Sequence, residues 1–406
     1  MISVNREQDC CGCTACEQTC KRHAITMKSD KKGFLYPVVN ESLCNGCNLC
    51  NNICPIQIEL EERIPNHTYA VKNRDVEIRR HSSSGGLFTI LATKTISEGG
   101  VVYGAIFDEG WSVVHSRVDQ IEDIQKLRGS KYVQSNLKNS FKQVKEDLLR
   151  GVPVLFSGTP CQVSGLLHFL RKAYQNLTTV DFVCHGVPNP QIWRDYLNET
   201  IATFKAAIGK SSISSSLNRM SSIKDIRFRD KSNGWKKFRF VMELAETSTE
   251  GKQSSVSSFL NDDIWDNDYM RLFLDNYILR PSCHECHFRN GKSGSDYTIA
   301  DYWQIVKFLP EFDDDKGVSM LLSYNGMIPA YIVNDVEYIE TPFEHACFGN
   351  RCIKSDWPYN RASIFFYFFH NQIKLSLRNS MVFSYFCNNK LEKMKSLMRR
   401  LKSKLL

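Results

Sequence analysis

The chain has 406 residues, of which 42% are hydrophobic, and this length is enough for two or three globular domains. Of the net charge of +8, the segment 390–406, with seven Lys or Arg and one Glu, contributes +6, which leaves +2 for the remaining residues. Because the basic charge is not spread over the chain, the composition argues against a nucleic-acid-binding surface. No apolar run is long enough to span a membrane, and the sixteen cysteines, mostly in metal-ligand spacing, indicate a reducing compartment. We therefore expect a cytoplasmic protein, or one that is peripheral at the inner membrane face.

Two cysteine runs of identical form lie in the first 54 residues, and each has the spacing C-x2-C-x2-C-x3-C. This is the ligand pattern of bacterial two-cluster ferredoxins, in which the fourth cysteine of each run binds the other cluster. A disulfide framework is typical of small secreted chains, and zinc sites use ligand pairs rather than two runs of four. We predict two 4Fe-4S clusters: cluster one bound by Cys10, Cys13, Cys16 and Cys54, and cluster two bound by Cys44, Cys47, Cys50 and Cys20.

The first run also contains an extra cysteine, Cys11. We expect it to pack inside the loop, with exchange into the ligand set as the alternative. Between the runs, 25–27 and 33–39 are predicted to pair as a hairpin. The acidic stretch 59–66, which contains Pro65, indicates a linker.

A second module is predicted from about residue 67, with a strand at 69–71 before a Ser/Gly-rich loop. Helical periodicity begins at Leu87, directly after this loop. Such a loop can present backbone N–H groups to an anion, for example a flavin pyrophosphate, although Ser and Gly are also ordinary helix caps. The stretch 128–135 holds two cations and several hydroxyls, so it either cradles a phosphate or forms a solvated turn. A strand at 101–107 and its hairpin partner at 111–118 complete this module.

The third module begins with a strand–helix–strand pattern. Since both strands of a β-α-β unit end at the same edge of a parallel sheet, Cys161 and Cys184 should lie side by side there. The predicted elements are a strand at 152–156, a helix that ends at 170, a strand at 177–183, paired strands at 226–229 and 238–242, a helix at 265–279, and loops at 206–222 and 246–257.

The pair Cys283 and Cys286 has the spacing C-x2-C, which by itself indicates half a zinc site or a redox dithiol. Together with Cys161 and Cys184 it makes four thiols, the number that an iron–sulfur cluster needs. This leads to the hypothesis of a third 4Fe-4S cluster. In the alternative, Cys161 and Cys184 are buried apolar residues, as free cysteines often are.

At these motifs the chain resembles the family of coenzyme F-420 hydrogenase/dehydrogenase beta subunits. The resemblance covers about 67 to 325 and rests on SSSGGLF at 82–88, LRGSKYVQS at 127–135, VLFSGTPCQVSGL at 154–166, FVCHGVP at 182–188, and CHECHF with SDYTIADYW at 283–303. It implies an FAD-containing iron–sulfur protein with one 4Fe-4S cluster beside the flavin. The implied ligands of this third cluster are Cys161, Cys184, Cys283 and Cys286. The implied FAD contacts are Ser83, Ser84, Gly85, Gly86, Ser130, Lys131 and Tyr132.

The predicted fold class combines α+β and α/β. A ferredoxin-like two-cluster domain is followed by a mixed α/β core for flavin and iron–sulfur binding. The predicted domains are 1–62 (two-cluster ferredoxin), 67–148 (flavin-binding part), 150–335 (third cluster) and 336–406 (C-terminal extension).

Beyond about residue 340 the resemblance fades. We expect Cys347, Cys352 and Cys387 to be structural and the apolar run 364–369 to lie in the core. A basic amphipathic helix in the tail can lie on an anionic membrane or dock a partner, and a solvated terminal helix is the alternative. Its apolar face is formed by Leu391, Met394, Met398, Leu401 and Leu405.

The favoured function is a flavin oxidoreductase. Electrons pass from the ferredoxin domain through the third cluster to FAD, which exchanges hydride with an unidentified organic substrate or a deazaflavin-type coenzyme. We expect a redox partner protein, namely a ferredoxin, a flavodoxin or a complex subunit, and no nucleic acid. The alternatives are an electron-transfer subunit of a hydrogenase or dehydrogenase complex without its own substrate, and a structural or regulatory iron–sulfur protein. No catalytic acid or base is assigned, although His81, His185 and Asp301 lie in the motifs.

Overall fold

The computed structural model describes residues 1–207, 223–245 and 256–405. The loop predicted at 206–222 therefore lies outside the described residues from 208 onward, and so does the loop predicted at 246–257 as far as 255. The tail helix is described as backbone to its end, but the side chains from 397 onward, including those of Met398, Leu401 and Leu405, are not. Within the described residues, no helix has the length and apolar character needed to cross a membrane.

The N-terminal module is built around a two-stranded antiparallel hairpin, which confirms the predicted pairing of 25–27 with 33–39. The carboxylate of Asp30 closes the turn by accepting hydrogen bonds from three successive backbone N–H groups. One short helix lies inside each cysteine run. The elements are β1 (Ile25–Ser29), β2 (Leu35–Val39), α1 (Ala15–Thr19) and α2 (Leu49–Asn52).

The remaining strands form one large and one small sheet. They are β3 (His67–Asn73), β4 (Val101–Phe107), β5 (Val113–Val118), β6 (Val154–Gly158), β7 (Leu177–Phe182), β8 (Ile223–Asp230), β9 (Arg239–Ala245), β10 (Val256–Asp263), β11 (Tyr297–Asp301), β12 (Ser319–Ser323) and β13 (Val336–Glu340).

The large sheet has eight strands in the described residues, in the order β13-β3-β12-β11-β7-β6-β4-β5. Its central strands β11, β7, β6 and β4 are parallel, and the strands on both sides pair antiparallel. The sheet takes strands from all three predicted segments after residue 67. The division of these segments into separate domains therefore stays a prediction, because one sheet contains strands from all three segments.

The remaining helices cover the faces and ends of the sheets. They are α3 (Val76–Arg80), α4 (Leu87–Ser97), α5 (Ile124–Leu127), α6 (Ser140–Leu149), α7 (Pro160–Leu170), α8 (Pro190–Ala207), α9 (Asp268–Leu274), α10 (Ile305–Phe308), α11 (Phe343–Phe348), α12 (Ala362–Tyr367) and α13 (Leu377–Leu405).

The predicted β-α-β unit is formed by β6, α7 and β7, with the two strands parallel. Alternate residues of β6 face opposite layers: Leu155 packs in the core layer that contains α4, whereas Val154 and Phe156 pack in the layer that contains α6 and α7. A strand buried on both faces needs the continuous apolar sequence seen here. A capping box between Thr159 and Gln162 begins α7, directly before Cys161.

Three local expectations need correction. The chain enters β10 at Val256, so the loop predicted to 257 ends earlier, and the small antiparallel sheet has the order β10-β9-β8. The helix predicted at 265–279 is limited to α9, because Asn267 caps its start and Asn276, just beyond its end, has a left-handed backbone with φ 62°. The run 364–369 is only partly core, since Phe366 is buried but Ile364 and Phe368 are 62% and 50% exposed.

Candidate functional site

The cysteines assigned to cluster one lie together in the N-terminal module. Burial raises the pKa of the Cys16 thiol, and the adjacent thiols of Cys10 and Cys54 raise it further. The Cys11 thiol lowers the pKa of Cys13, but burial and the nearby Cys16 and Cys54 thiols raise it overall. The structure thus brings four thiols from both runs together, and their role as ligands of cluster one stays a prediction.

The cysteines assigned to cluster two lie nearer the surface. The backbone N–H of Ile2 donates to Cys50 Sγ at 3.3 Å, and that of Ala24 donates to Cys20 Sγ at 3.4 Å. Hydrogen bonds to sulfur are one of the factors that set the potential of a cluster. The four side chains differ in exposure, with Cys47 exposed, Cys20 and Cys44 half-buried and Cys50 buried.

One cavity in the core is lined by all four cysteines implied for the third cluster. Cys161 lies at the start of α7, Cys184 follows β7, and Cys283 and Cys286 belong to the segment after α9. Burial raises the pKa of Cys283 to about 12 and that of Cys286 to about 11. Buried thiols of this kind are neutral near pH 7 and lose their protons when a metal centre binds them.

The donor set of this cavity fits a thiolate-bound cluster, because four of the residues that line it are cysteines. Cys11 and Cys352 line the same cavity. The guanidinium of Arg289 donates to the backbone carbonyl oxygens of Cys184 and Cys352, which holds the cavity wall in place. Each of the sixteen cysteines is a free thiol. In the parts of the chain that the structure describes, no three His, Cys, Asp or Glu side chains form a group that could hold a metal ion, so the fit of this cavity rests on the kind of donors that line it and not on a preformed coordination geometry.

The module and the core meet at the two cysteine groups. A Cβ atom at Gly165 in α7 would lie 3.0 Å from Cys13 Sγ, so the helix that begins at Cys161 packs directly on the first cysteine loop. Cys11 lies between them. Its thiol is within hydrogen-bond reach of the thiols of Cys13 and Cys161, and its pKa is raised overall. The first cysteine group is therefore in van der Waals reach of the helix that carries the core group.

The loops implied to contact FAD also meet in the structure. Ser83 Oγ accepts hydrogen bonds from the backbone N–H of Ser130 at 2.7 Å and from its hydroxyl at 2.8 Å. Gly85 has no room for a side chain, since a Cβ would lie 2.5 Å from the Val71 carbonyl oxygen, and its N–H donates to Ser319 Oγ. Several of these polar groups therefore bind other parts of the protein. Ser84 Oγ likewise donates to the Val318 carbonyl oxygen, and Gly86 begins α4 with φ 84°.

A buried ion pair that sequence reasoning missed organises this region. Arg229 in β8 donates to Asp301 Oδ2 at 2.8 Å and to the Tyr132 hydroxyl at 3.2 Å, and it also reaches the Ser83 carbonyl oxygen at 3.3 Å. Its Nε is buried without a hydrogen-bond partner among the described residues. Trp235 Nε1 donates to Asp301 Oδ1 at 2.7 Å. The only sequence signal for Arg229 was its place in a predicted strand, which says nothing about its partner.

Two lysines add positive charge near these loops. Lys131 Nζ donates to carbonyl oxygens of its own loop, and burial lowers its pKa to about 7. Lys231, which was also missed, donates to the carbonyl oxygens of Arg79 and Ser84, and burial lowers its pKa to about 7 as well. A lysine with a pKa near 7 is only partly charged at neutral pH, so an anion beside it would favour its ammonium form.

The three acid–base candidates differ in their surroundings. Asp301 is engaged by Arg229 and Trp235, while His81 is exposed at the surface. Burial lowers the pKa of His185 to about 4, and its Nε2 interacts with Asn276 Oδ1 at 2.7 Å. His185 is therefore a neutral, fixed side chain at pH 7. No catalytic acid or base is assigned from this geometry.

The fold and the cysteine groups define the class as an iron–sulfur protein with a redox role. Residues 152–336 match the family described as the C terminus of the coenzyme F420 hydrogenase/dehydrogenase beta subunit, and residues 9–58 match the 4Fe-4S dicluster domain. The resemblance and the mixed α/β fold behind a ferredoxin-type domain are thereby confirmed. The individual ligands, the third cluster and FAD stay predictions.

Two curated relatives match part of the chain. A coenzyme F420-dependent sulfite reductase of Methanocaldococcus jannaschii is 31% identical over an alignment of 187 residues, and the match covers 44% of this chain and 28% of the relative. A subunit of the F(420)H(2) dehydrogenase of Methanosarcina mazei is 25% identical over an alignment of 194 residues, and the match covers 44% of this chain and 52% of the relative. The chain thus spans less than two thirds of either relative.

A solved structure, the xenon-derivatised F420-reducing [NiFe] hydrogenase complex from Methanosarcina barkeri, is similar with a TM-score of 0.43 and 15% identity. The match covers 73% of this chain and 91% of that chain. A likeness of this strength supports no argument about function.

Proposed function

We propose that the protein is an iron–sulfur flavoprotein oxidoreductase with three 4Fe-4S clusters and FAD. The observation that carries this proposal is the contact series from the module to the implied flavin loop. Cys13 packs on α7, which carries Cys161 into the core cavity. On the far side, His185 follows Cys184, and its ring lies 4.8 Å from that of Phe273, which lies 4.8 Å from Tyr132.

This series gives each part of the chain a role. The cysteines of cluster two, of which Cys47 is exposed, would hold the cluster nearest to a redox partner. The cysteines of cluster one would hold the next cluster, and Cys13 would place it against the helix that carries the core cysteines. When bound, FAD supplies the conversion between single electrons and hydride transfer. The rings of His185 and Phe273 lie between Cys184 and Tyr132 on this side of the cavity. The organic substrate is unidentified, and a deazaflavin such as the coenzyme named in the relatives is a candidate.

Iron and flavin counting on anaerobically purified protein tests the proposal. About twelve irons per chain are expected, at four for each of three clusters, together with one FAD. About eight irons would leave only the ferredoxin pair, and absence of flavin after anaerobic preparation would contradict the flavoenzyme. Reoxidation of the flavin by an oxidised deazaflavin, followed by absorbance, then tests the substrate class.

The second candidate function is an electron-transfer subunit without its own substrate. The Methanosarcina mazei relative, which is named as part of a dehydrogenase, favours it. It requires a stoichiometric protein partner on a native gel and no turnover by the isolated chain. Turnover by the isolated chain would contradict it.

For the tail we propose a peripheral contact with the cytoplasmic membrane face. Phe383 and Phe386 are exposed on one face of α13, and Lys390 and Lys393 continue that face. Exposed aromatic rings next to Lys suit an interfacial helix on anionic lipid. Flotation with phosphatidylglycerol vesicles should fall when both Phe residues are changed to Ser. Equal flotation of the natural and the substituted chain would contradict the contact.

A further inference from the structure

Arg280 is a completely buried cation where the module meets the core, with 0% of its surface exposed. Its Nε donates to the Cys10 carbonyl oxygen and its Nη2 to the Leu35 carbonyl oxygen, both at 2.8 Å. Its Nη1 donates to Gln134 Oε1 at 3.1 Å, and its Cζ lies 4.5 Å from the ring centroid of Tyr36. Uncharged groups from both parts of the chain thus fix the guanidinium in one orientation.

The guanidinium also lies against the first cysteine group. Its Nη2 is 3.6 Å from Cys10 Sγ. Gly12 in the same loop has φ 73°, a conformation that favours Gly, and a Cβ there would lie 2.8 Å from Nη1, so a side chain at residue 12 would require the guanidinium to shift. On the core side, the backbone N–H of Cys283 donates to the Arg280 carbonyl oxygen at 2.9 Å. Arg280 therefore stands between a cysteine of each group.

The charge of Arg280 has no counterpart among the groups that it contacts. In the described residues its hydrogen bonds reach backbone carbonyl oxygens, an amide and a thiol, and none reaches a carboxylate. A buried cation without a counter-charge is strongly destabilising. A 4Fe-4S cluster held by four thiolates is anionic, so a cluster at Cys10 would supply the missing charge.

We propose that Arg280 is the counter-cation of cluster one and raises its reduction potential relative to cluster two. The inference rests on the proposed function, because it takes the clusters as present. One-electron reduction by a partner or by dithionite adds one negative charge to the cluster, and a fixed cation beside a ligand sulfur favours that reduced form. Arg280 acts through Cys10 and is a positioning residue rather than a catalytic one.

Arg289 offers a matched comparison in the core. It lies beside the core cysteine group, but its Nε binds Asp356 Oδ1 at 3.0 Å, so its charge is compensated by a carboxylate. Removal of Arg289 should therefore change the potential of the third cluster by less than removal of Arg280 changes that of cluster one. The two arginines separate the effect of an uncompensated cation from that of a compensated one.

The test is a redox titration of the full-length anaerobic protein followed by electron paramagnetic resonance, with R280K, R280M and R289M. In R280M, the equilibrium constant for reduction of cluster one should fall at least about tenfold, which is about 59 mV for one electron. R280K keeps the charge and should lose less than half of that shift. The potential of cluster two should stay the same in all three variants, and R289M should leave cluster one unchanged.

An unchanged potential of cluster one in fully loaded R280M would overturn the inference, and so would equal shifts in R280K and R280M. If R280M does not retain the irons of cluster one, the iron count of R280K decides. A full count in R280K supports the role of the positive charge, whereas loss of these irons in R280K as well overturns it. The iron count of the unsubstituted protein distinguishes a failure of this inference from a failure of the proposed function. A count of about eight irons per chain or fewer would contradict the proposed function itself.

Discussion

The N-terminal module and the core both gather four thiols, but they do so over different distances in the sequence. Cys10, Cys13 and Cys16 lie on one tight loop, so their proximity is fixed by local geometry and only Cys54 arrives from further away. In the core, Cys161, Cys184 and the pair after α9 come together only because β6 and β7 pair in parallel and the later segment closes over them. A local group can survive damage elsewhere in the chain, whereas the core group depends on the whole sheet.

Among the substitutions that test this difference between the two regions, loss of a core thiol should have the largest effect on iron content and electron transfer. Cys283→Ser removes one of four donors from the core cavity, so iron should fall from about twelve to about eight per chain. Reduction of flavin through the module should slow by more than about hundredfold, since changes in the outer shell alone cost 10- to 100-fold. Iron analysis and stopped-flow absorbance on anaerobic protein measure both effects.

The matched variant in the module is Cys47→Ser. It should also lose about four irons, but dithionite should still reduce the core cluster and the flavin at the natural rate. Cys387→Ser, in α13, should keep all irons and serves as the neutral control. A full iron complement in Cys283→Ser would show that Cys283 is not a ligand and would remove the distinction between the two regions.

The second largest effect should come from breaking the buried ion pair of the core, which lowers the free energy of unfolding. Arg229 and Asp301 are 4% and 13% exposed, so solvent screens their interaction weakly. Asp301→Asn leaves a buried guanidinium without its counter-charge, which typically lowers the free energy of unfolding by about 3–5 kcal/mol. Urea denaturation followed by tryptophan fluorescence is a suitable measurement, because Trp235 and Trp303 stack beside the pair.

Glu337→Gln is the control for this ion pair. Glu337 pairs with Lys72 at 3.0 Å on the surface of β13, where loss of an ion pair typically costs about 0–1 kcal/mol. Similar urea midpoints for the two variants would mean that the Arg229–Asp301 pair does not stabilise the core.

The contrast between local contacts in the module and long-range contacts in the core also explains which features could be predicted from the sequence. The cysteine runs, the hairpin of the module and the β6-α7-β7 unit follow from spacing and from apolar periodicity, and all three elements were predictable. The placement of β3 between β12 and β13 was not, because it joins residues about 250 positions apart that carry no local signal. Arg229 and Arg280 were missed for the same reason: a single Arg in a strand or a loop does not indicate which buried partner it will meet.

A pH-dependent effect is expected at Lys131, whose pKa is lowered to about 7 by burial. Below pH 7 the ammonium group is charged and favours an anionic ligand, whereas well above pH 7 it is neutral. Lys131→Met should therefore weaken FAD binding about tenfold at pH 6, in line with the 1.5–3 kcal/mol of a charged hydrogen bond, and should change it little at pH 9. Fluorescence quenching of the free flavin measures the affinity.

Lys126→Met is the control for Lys131. Lys126 lies in α5 of the same segment, is exposed and pairs with Asp123 at 2.7 Å. Its loss should leave FAD affinity unchanged at both pH values. A pH-independent loss of affinity in Lys131→Met would mean that its side chain acts by shape and not by charge.

The smallest effect should come from Cys11, which lies between the two regions. If Cys11 only packs against Cys13 and Cys161, Cys11→Ala removes one buried sulfur and lowers the free energy of unfolding by about 1 kcal/mol, the usual cost of a methyl-sized cavity. The iron count should then stay at about twelve. Loss of four irons would show instead that Cys11 is a ligand. A full iron count with slower electron transfer between cluster one and the core would show that its packing sets their spacing. Cys347→Ala, at a cysteine that does not line the core cavity, should change neither quantity.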